Sequence, residues 1–166
     1  MVVAGVDAST KKSGICIMCD GELIFRTLID LEKEKDAMKR IPQMMIKICE
    51  VLDQYNIDVV CMEKSILKTN VDTVQKLSNL AGGIMLYCAQ NEIEFKHPTP
   101  PEWRKKVGLQ QSSKIKRDVL KAEAILAVKQ EYGLSVGDDV AEAILLARSM
   151  FDLPKVNITE DDLWGE

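Results

Sequence analysis

The sequence predicts one α/β domain, built on a mixed five-stranded sheet (a three-strand antiparallel meander plus parallel strands) that is flanked by helices. Three observations carry this prediction. Residues 2–31 hold three short strand-like runs broken by turn residues, among them the two-residue hairpin signal Asp20-Gly21. From residue 36 onward, segments with apolar residues at helical spacing alternate with short β-branched runs, the order that yields parallel neighbours and helices on the sheet faces. The chain has 166 residues, 46% hydrophobic and 29% charged, enough for one full core and too few for two ordinary domains. We therefore expect a single domain over residues 1–153 and a loosely attached acidic tail over 154–166.

The elements follow in order. Val2 to Ala8 is an apolar run carrying Asp7 near its end, and the polar turn Ser9 to Gly14 follows. Ile15 to Cys19 and Glu22 to Leu31 flank the Asp20-Gly21 turn. From Asp36 to about Gln54, apolar residues at Met38, Ile41, Met45, Ile48, Val51 and Leu52 predict a helix despite Pro42. Ile57 to Met62 reads as a buried strand that ends in Glu63, and Val71 to Ala89 as a helix whose Gly82-Gly83 pair marks close packing. Ile93 to Phe95 is a short strand. His97 to Pro101 reads as a proline-rich loop, with Trp103 to Lys106 continuing it. Ser113 to about Gln130 and Asp138 to about Phe151 are the last two helices.

Composition excludes several classes. The opening residues lack a basic segment followed by a signal-type apolar run, and no stretch approaches the roughly 18 uninterrupted apolar residues of a membrane span. Of five cysteines, Cys16, Cys19, Cys61 and Cys88 sit in apolar runs, which fits a reducing compartment. Cys16 and Cys19 stand three apart on a strand and point to opposite faces, so core packing explains them better than a zinc site. The net charge of −4 is not that of a generic polyanion binder, but Arg104, Lys105, Lys106, Lys114, Lys116, Arg117 and Lys121 concentrate in one stretch. The lone histidine, His97, and the turn residues Ser9 and Thr10 assemble no nucleophilic triad, and no phosphate-binding Gly-x-x-x-x-Gly-Lys loop is present.

Four carboxylates stand where this architecture gathers side chains. Asp7 ends the first strand, Glu63 ends the fourth, and Asp139 and Glu142 lie three apart on the first turns of the last helix, on one face. Taken singly, Asp7 could serve a turn, Glu63 could be a strand-end charge, and Asp138 or Asp139 an N-cap. Together, at compatible element ends, they make a better metal site. A carboxylate interrupting an apolar run is costly without compensation, and an all-oxygen set selects magnesium or manganese over zinc. Two such ions about 4 Å apart are the recurring machinery of phosphodiester hydrolysis.

Gly5-Val6-Asp7-Ala8-Ser9, Val59-Val60-Cys61-Met62-Glu63 and Asp139-Val140-Ala141-Glu142-Ala143 resemble the three acidic motifs of RuvC-like Holliday junction resolvases. Asn70, Asp72, Thr73, Lys76, Leu77 and Gly82 reproduce without a gap the family segment that follows the second acidic residue. The resemblance runs from Val2 to about Met150 and implies a ribonuclease H-like fold. It implies Asp7, Glu63, Asp139 and Glu142 as ligands of two Mg²⁺ ions, with Mn²⁺ able to substitute, and Asp138 as a substitute for Asp139. Lys114 resembles the family's lysine near the scissile phosphate. A homodimer cutting a four-way DNA junction symmetrically is implied as well, in a bacterial or phage-infected host cytoplasm, with no small-molecule cofactor and no membrane.

Two positions depart from the family pattern. The last acidic residue is usually aspartate and is Glu142 here, one methylene longer. Ile66 stands where well-known members place a base-stacking aromatic, and an aliphatic side chain can wedge between bases but cannot stack on one. With the family in view, Ile66, Lys68, Asn70, Lys76, Arg104, Lys105, Lys106, Lys116 and Arg117 are the candidate DNA contacts, and Trp103 is either part of that surface or a core anchor. Two rival readings keep the fold: a non-catalytic module binding branched nucleic acid, and an ATPase or phosphotransferase, because Gly5 to Thr10 also resembles the phosphate loop of sugar kinases and actin-like ATPases.

Overall fold

The computed structural model describes residues 1–65, 70–110 and 115–164. Its elements are β1 (Val2–Asp7), β2 (Lys12–Cys19), β3 (Glu22–Asp30), α1 (Ala37–Leu52), β4 (Val59–Met62), α2 (Val71–Gln90), β5 (Glu94–Lys96), α3 (Pro100–Val107), α4 (Arg117–Tyr132), α5 (Asp138–Arg148) and α6 (Glu160–Trp164). The sheet order is β3-β2-β1-β4-β5. β1, β2 and β3 pair antiparallel, and β4 and β5 join parallel to β1, as the sequence predicts. Asp20 and Gly21 both take positive φ, 49° and 89°, the conformation of a tight two-residue hairpin whose twist matches its strands.

Side-chain alternation divides the core into two layers. Ala4, Val6, Ile15, Ile17, Val60 and Met62 face α1 and α2, packing on Met44, Ile48, Leu80 and Ile84. Val3, Cys16, Met18, Val59 and Cys61 face the other way, against Trp103, Ala124, Ile144 and Ala147 of α3, α4 and α5. Every cysteine is a free thiol, and Cys16, Cys61 and Cys88 are buried as packing groups. Gly83 meets α1 closely, since a Cβ there would collide with Met45, whereas Gly82 faces open space. Among the described residues, no helix is long and apolar enough to cross a membrane.

Three expectations are corrected. Trp103 to Lys106 lie on helix α3 and not on a loop. Thr99 and Glu102 form a capping box, and Pro100 and Pro101 occupy the first helical positions, where a missing N–H costs nothing. The described part of the following helix begins at Arg117, and the last predicted helix ends at Arg148. The start of the expected tail, Pro154 to Val156, is also held in place. Val156 is buried in the layer under α5, its N–H donates to the carbonyl of Val107 at 2.8 Å, and Arg148 Nη2 donates to the Pro154 carbonyl at 2.7 Å.

Candidate active site

The same alternation that builds the second core layer aims two carboxylates into it. Asp7 follows Val3 and Gly5 on β1, and Glu63 follows Val59 and Cys61 beyond the end of β4, so both fall on the α5 face. The register pairs Val6 with Met62, which leaves Asp7 and Glu63 as the next residues along neighbouring parallel strands.

Helix α5 completes the cluster because two strand glycines let its backbone settle on the sheet. A Cβ at Gly5 would lie 2.0 Å from the carbonyl oxygen of Ala143, and one at Gly14 would lie 2.0 Å from that of Asp139. Gly14 is the cross-strand partner of Asp7, so the first turn of α5 is held beside the Asp7 carboxylate. Asp139 and Glu142 follow on that turn and the next, on one face.

The four charges act on one another. Burial pushes the Asp7 carboxyl well above the usual range, and the charges of Glu142, Glu63 and Asp139 push it further. Glu142 is raised to about 7 by burial and by Glu63, against the pull of Arg104, Lys121 and Arg117. Glu63 is raised by burial, opposed by a hydrogen bond from Trp103 and by the charges of Arg104 and Arg117. Asp139 is raised by burial and by Asp138. Asp138 behaves differently. It is ion-paired with Lys121, and that contact holds its carboxyl below the usual range.

Neighbouring groups fix these side chains. The Trp103 indole, fully buried, donates its N–H to Glu63 Oε2 at 2.6 Å. Arg104 is 3% exposed, ion-paired with Glu123 at 2.5 Å, and places Nη1 3.8 Å from Glu142. Among the described residues, no three His, Cys, Asp or Glu side chains converge closely enough, as they stand, to enclose a metal ion. The set nevertheless fits a hard divalent cation in its chemistry: it is oxygen-only, half-buried, and crowded with like charge that a cation would relieve.

The expected DNA contacts divide. Lys105, Lys106, Lys116 and Arg117 are exposed, and the Arg117 charge reaches Glu63, Asp139 and Glu142. Asn70 caps α2, accepting the N–H of Asp72 at 3.0 Å, and Lys76 pairs with Asp72 at 2.5 Å one turn further on. Arg104 is corrected: its side chain is buried in ion pairs and carries no free surface for phosphate. Ile66, Lys68 and Lys114 lie outside the described residues. Trp103 proves to be a core anchor that also touches the site. Glu123, which completes the Arg104 contact, carries no signal in the sequence as a site neighbour, while Lys121, expected to track phosphates beside the site, pairs with Asp138. The strand glycines Gly5 and Gly14 were the available signal for the seat of α5, since glycine inside a strand marks close backbone approach.

Comparison with known proteins agrees with this geometry. Residues 3–147 match the family model for crossover junction endodeoxyribonuclease RuvC. Similar relatives include a crossover junction endodeoxyribonuclease RuvC of Dictyoglomus turgidum, 29% identical over 90% of this chain and 95% of its own length. Another, from Campylobacter hominis, is 27% identical over 89% and 93%. Among solved structures, Thermus thermophilus RuvC in complex with a Holliday junction substrate superposes with a TM-score of 0.71 at 17% identity, covering 90% of this chain and 92% of that one. The Fowlpox virus resolvase in complex with Holliday junction DNA gives 0.61 at 16% identity, covering 90% and 96%. At these identities the two structures show the common fold.

Proposed function

The chain belongs to the family of crossover junction endodeoxyribonucleases RuvC, and from that premise we propose that it resolves four-way DNA junctions by metal-dependent hydrolysis of phosphodiester bonds. The observation that carries this reading is the mutual field of Asp7, Glu63, Asp139 and Glu142. Four carboxylates from three elements are half-buried together on the α5 face, each raised above its ordinary protonation range. A protein that only bound DNA would gain nothing from such a cluster, because it repels phosphate.

The four carboxylates would hold two divalent ions, Mg²⁺ with Mn²⁺ able to substitute. Bound ions supply the Lewis acidity for hydrolysis. Asp7, fixed by the β1–β2 register, and Asp139, fixed by the seat of α5, set the two sides of the site. Glu63 and Glu142 supply the longer arms, each faced by a residue of α3. Of the two aspartates at the start of α5, Asp139 is the ligand in this reading, because Asp138 is taken by Lys121. Exposed Lys105, Lys106, Lys116 and Arg117 bind backbone phosphates beside the cluster, and Lys114 holds the scissile phosphate. The Thermus and Fowlpox proteins are complexed with Holliday junctions, and junction binding is carried from them to this chain.

The protein acts as a homodimer that cuts two strands symmetrically. The exposed apolar residues Ile46 on α1 and Met85 and Leu86 on α2 support an interface on that side, away from the carboxylates. The location that goes with this reading is a bacterial or phage-infected host cytoplasm, which the bacterial origin of the relatives supports.

The test is incubation with a mobile four-way junction and a matched linear duplex, with Mg²⁺ or with chelator, and mapping of products on a denaturing gel. Paired, symmetric, metal-dependent nicks in the junction alone are expected. Equal cutting of the duplex, or cutting that survives the chelator, would defeat the proposal.

A further inference from the structure

Two adjacent residues of α3 each address a different member of the carboxylate cluster. Trp103 donates its indole N–H to Glu63 Oε2 at 2.6 Å, and Arg104 places Nη1 3.8 Å from Glu142 Oε1. The two carboxylates come from elements distant in sequence, the end of β4 and the second turn of α5. We propose that α3 is the positioning element of the metal site: Trp103 fixes the orientation of Glu63, and Arg104 limits the reach of Glu142. The inference rests on the reading of these carboxylates as metal ligands.

The chemistry of each contact suits that task. Indole is a donor only, so its bond takes one lone pair of Oε2 and leaves Oε1 and the remaining lone pairs for another partner. The ring is fully buried, packed in the layer under α5, and cannot follow Glu63 if that side chain turns away. A charge-assisted bond from a fixed donor therefore holds a flexible glutamate in one orientation.

Arg104 is itself fixed on three sides. Its Nε donates to the Gln110 carbonyl at 2.7 Å, and Nη2 donates to the Leu120 carbonyl at 3.2 Å and to Glu123 at 2.5 Å. Only Nη1 is turned toward Glu142, and 3.8 Å is beyond hydrogen-bond range. The guanidinium attracts Glu142 without capturing it. Glutamate has one more rotatable bond than aspartate, and a fixed charge at this distance narrows the space that the longer arm explores. Lysine could not do the same, since one ammonium cannot serve Glu123 and two carbonyls while presenting a further donor to Glu142.

The experiment is Mn²⁺ binding to the DNA-free full chain, followed by the paramagnetic signal of the free ion, for wild type, Trp103→Phe and Arg104→Lys. Phenylalanine keeps one aromatic ring and removes the N–H together with the five-membered part of the indole, so urea unfolding of the variant is measured alongside to separate lost packing from the lost contact. Trp103→Phe is expected to weaken Mn²⁺ binding about 10-fold, the lower end for loss of a group that orients a ligand. Junction binding in chelator should be unchanged, and cleavage by Trp103→Phe should return to within a few-fold of wild type at saturating Mn²⁺. Arg104→Lys should weaken Mn²⁺ binding in the same direction. Wild-type affinity in both variants, or a cleavage defect that saturating Mn²⁺ does not relieve, would overturn the proposal.

Should Trp103→Phe fail to fold, a Trp164→Phe protein isolates the emission of Trp103. That emission should change on Mg²⁺ titration with the midpoint of metal binding, and no change would count against the contact. A wild-type protein that binds no Mn²⁺ would remove the metal-site reading itself, a result distinct from variants that bind like wild type.

Discussion

Gly14 leaves open the space through which the carbonyl of Asp139 passes: a Cβ at position 14 would stand 2.0 Å from that oxygen. Because Gly14 also pairs with Asp7 across the sheet, one missing side chain sets the distance between the carboxylates of β1 and α5. The obstacle is backbone, which cannot rotate aside. Gly14→Ala should lift the first turn of α5, costing about 2 to 3 kcal/mol of stability as an overpacked core position does. Metal-dependent cleavage should fall by more than about 100-fold, since an ångström of misplacement at a reacting centre costs that much. Urea unfolding and junction cleavage measured side by side test this, and an alanine variant as stable and active as wild type would refute the close-seat argument.

The two aspartates that open α5 should separate cleanly. Asp138 is held by Lys121 and sits low in its titration range, while the charge of Asp139 is felt by Asp7. Asp139→Asn should abolish junction cutting while leaving junction binding in chelator intact. Asp138→Asn should cut within about 10-fold of wild type, as expected for a group outside the reacting constellation. The reverse ranking would make Asp138 the ligand.

What the sequence made legible was the part governed by periodicity. Alternation and helical spacing located β1, β4 and α5, and with them Asp7, Glu63, Asp139 and Glu142 at element ends. The register that brings Val6 beside Met62, and so the two strand-end carboxylates together, depends on tertiary pairing that no local pattern encodes. At helix α3 the two prolines signal a break in the local pattern, although Thr99 and Glu102 form a start signal around them. By its charge alone Arg104 suggests a DNA contact. Its burial against Glu123 arises from a contact 19 residues away, which composition cannot reveal.

The cluster should make the metal-free protein less stable as pH rises. Glu142 has its folded pKa raised from 4.5 to about 7, so the stability tied to its protonated form is fully present below 4.5 and lost as pH passes through about 7. A rise of that size corresponds to on the order of 3 kcal/mol. Asp7 shifts in the same direction, whereas His97, lowered by burial, acts oppositely over part of this window. The comparison with Glu142→Gln removes the His97 contribution. In chelator, wild type should lose melting temperature between pH 4.5 and 7 relative to Glu142→Gln, and Mg²⁺ should restore it above pH 7, where the ligands are ionised. Parallel pH curves for the two proteins would show that Glu142 is not raised.

Glu123 tests whether the support beneath the cluster is structural, electrostatic or both. It is 2% exposed, its Oε2 faces Arg104 at 2.5 Å, and its Oε1 accepts the N–H of Gln110 at 2.9 Å. Removing one partner of a buried pair strands the other charge, which typically costs about 3 to 5 kcal/mol. Glu123→Ala should fall in that range by urea unfolding. Arg104, released on that side, would have Glu142 as its nearest carboxylate, so the surviving folded protein should need more Mn²⁺ for half-maximal cleavage. Glu123→Gln keeps one acceptor oxygen, for Gln110 or for Arg104, and sets its NH2 against the other donor, so it should recover only part of the stability. If Glu123→Gln restores stability while the Mn²⁺ requirement stays raised, the charge of Glu123 governs how Arg104 meets Glu142; if both recover together, the contact acts through packing and hydrogen bonding alone.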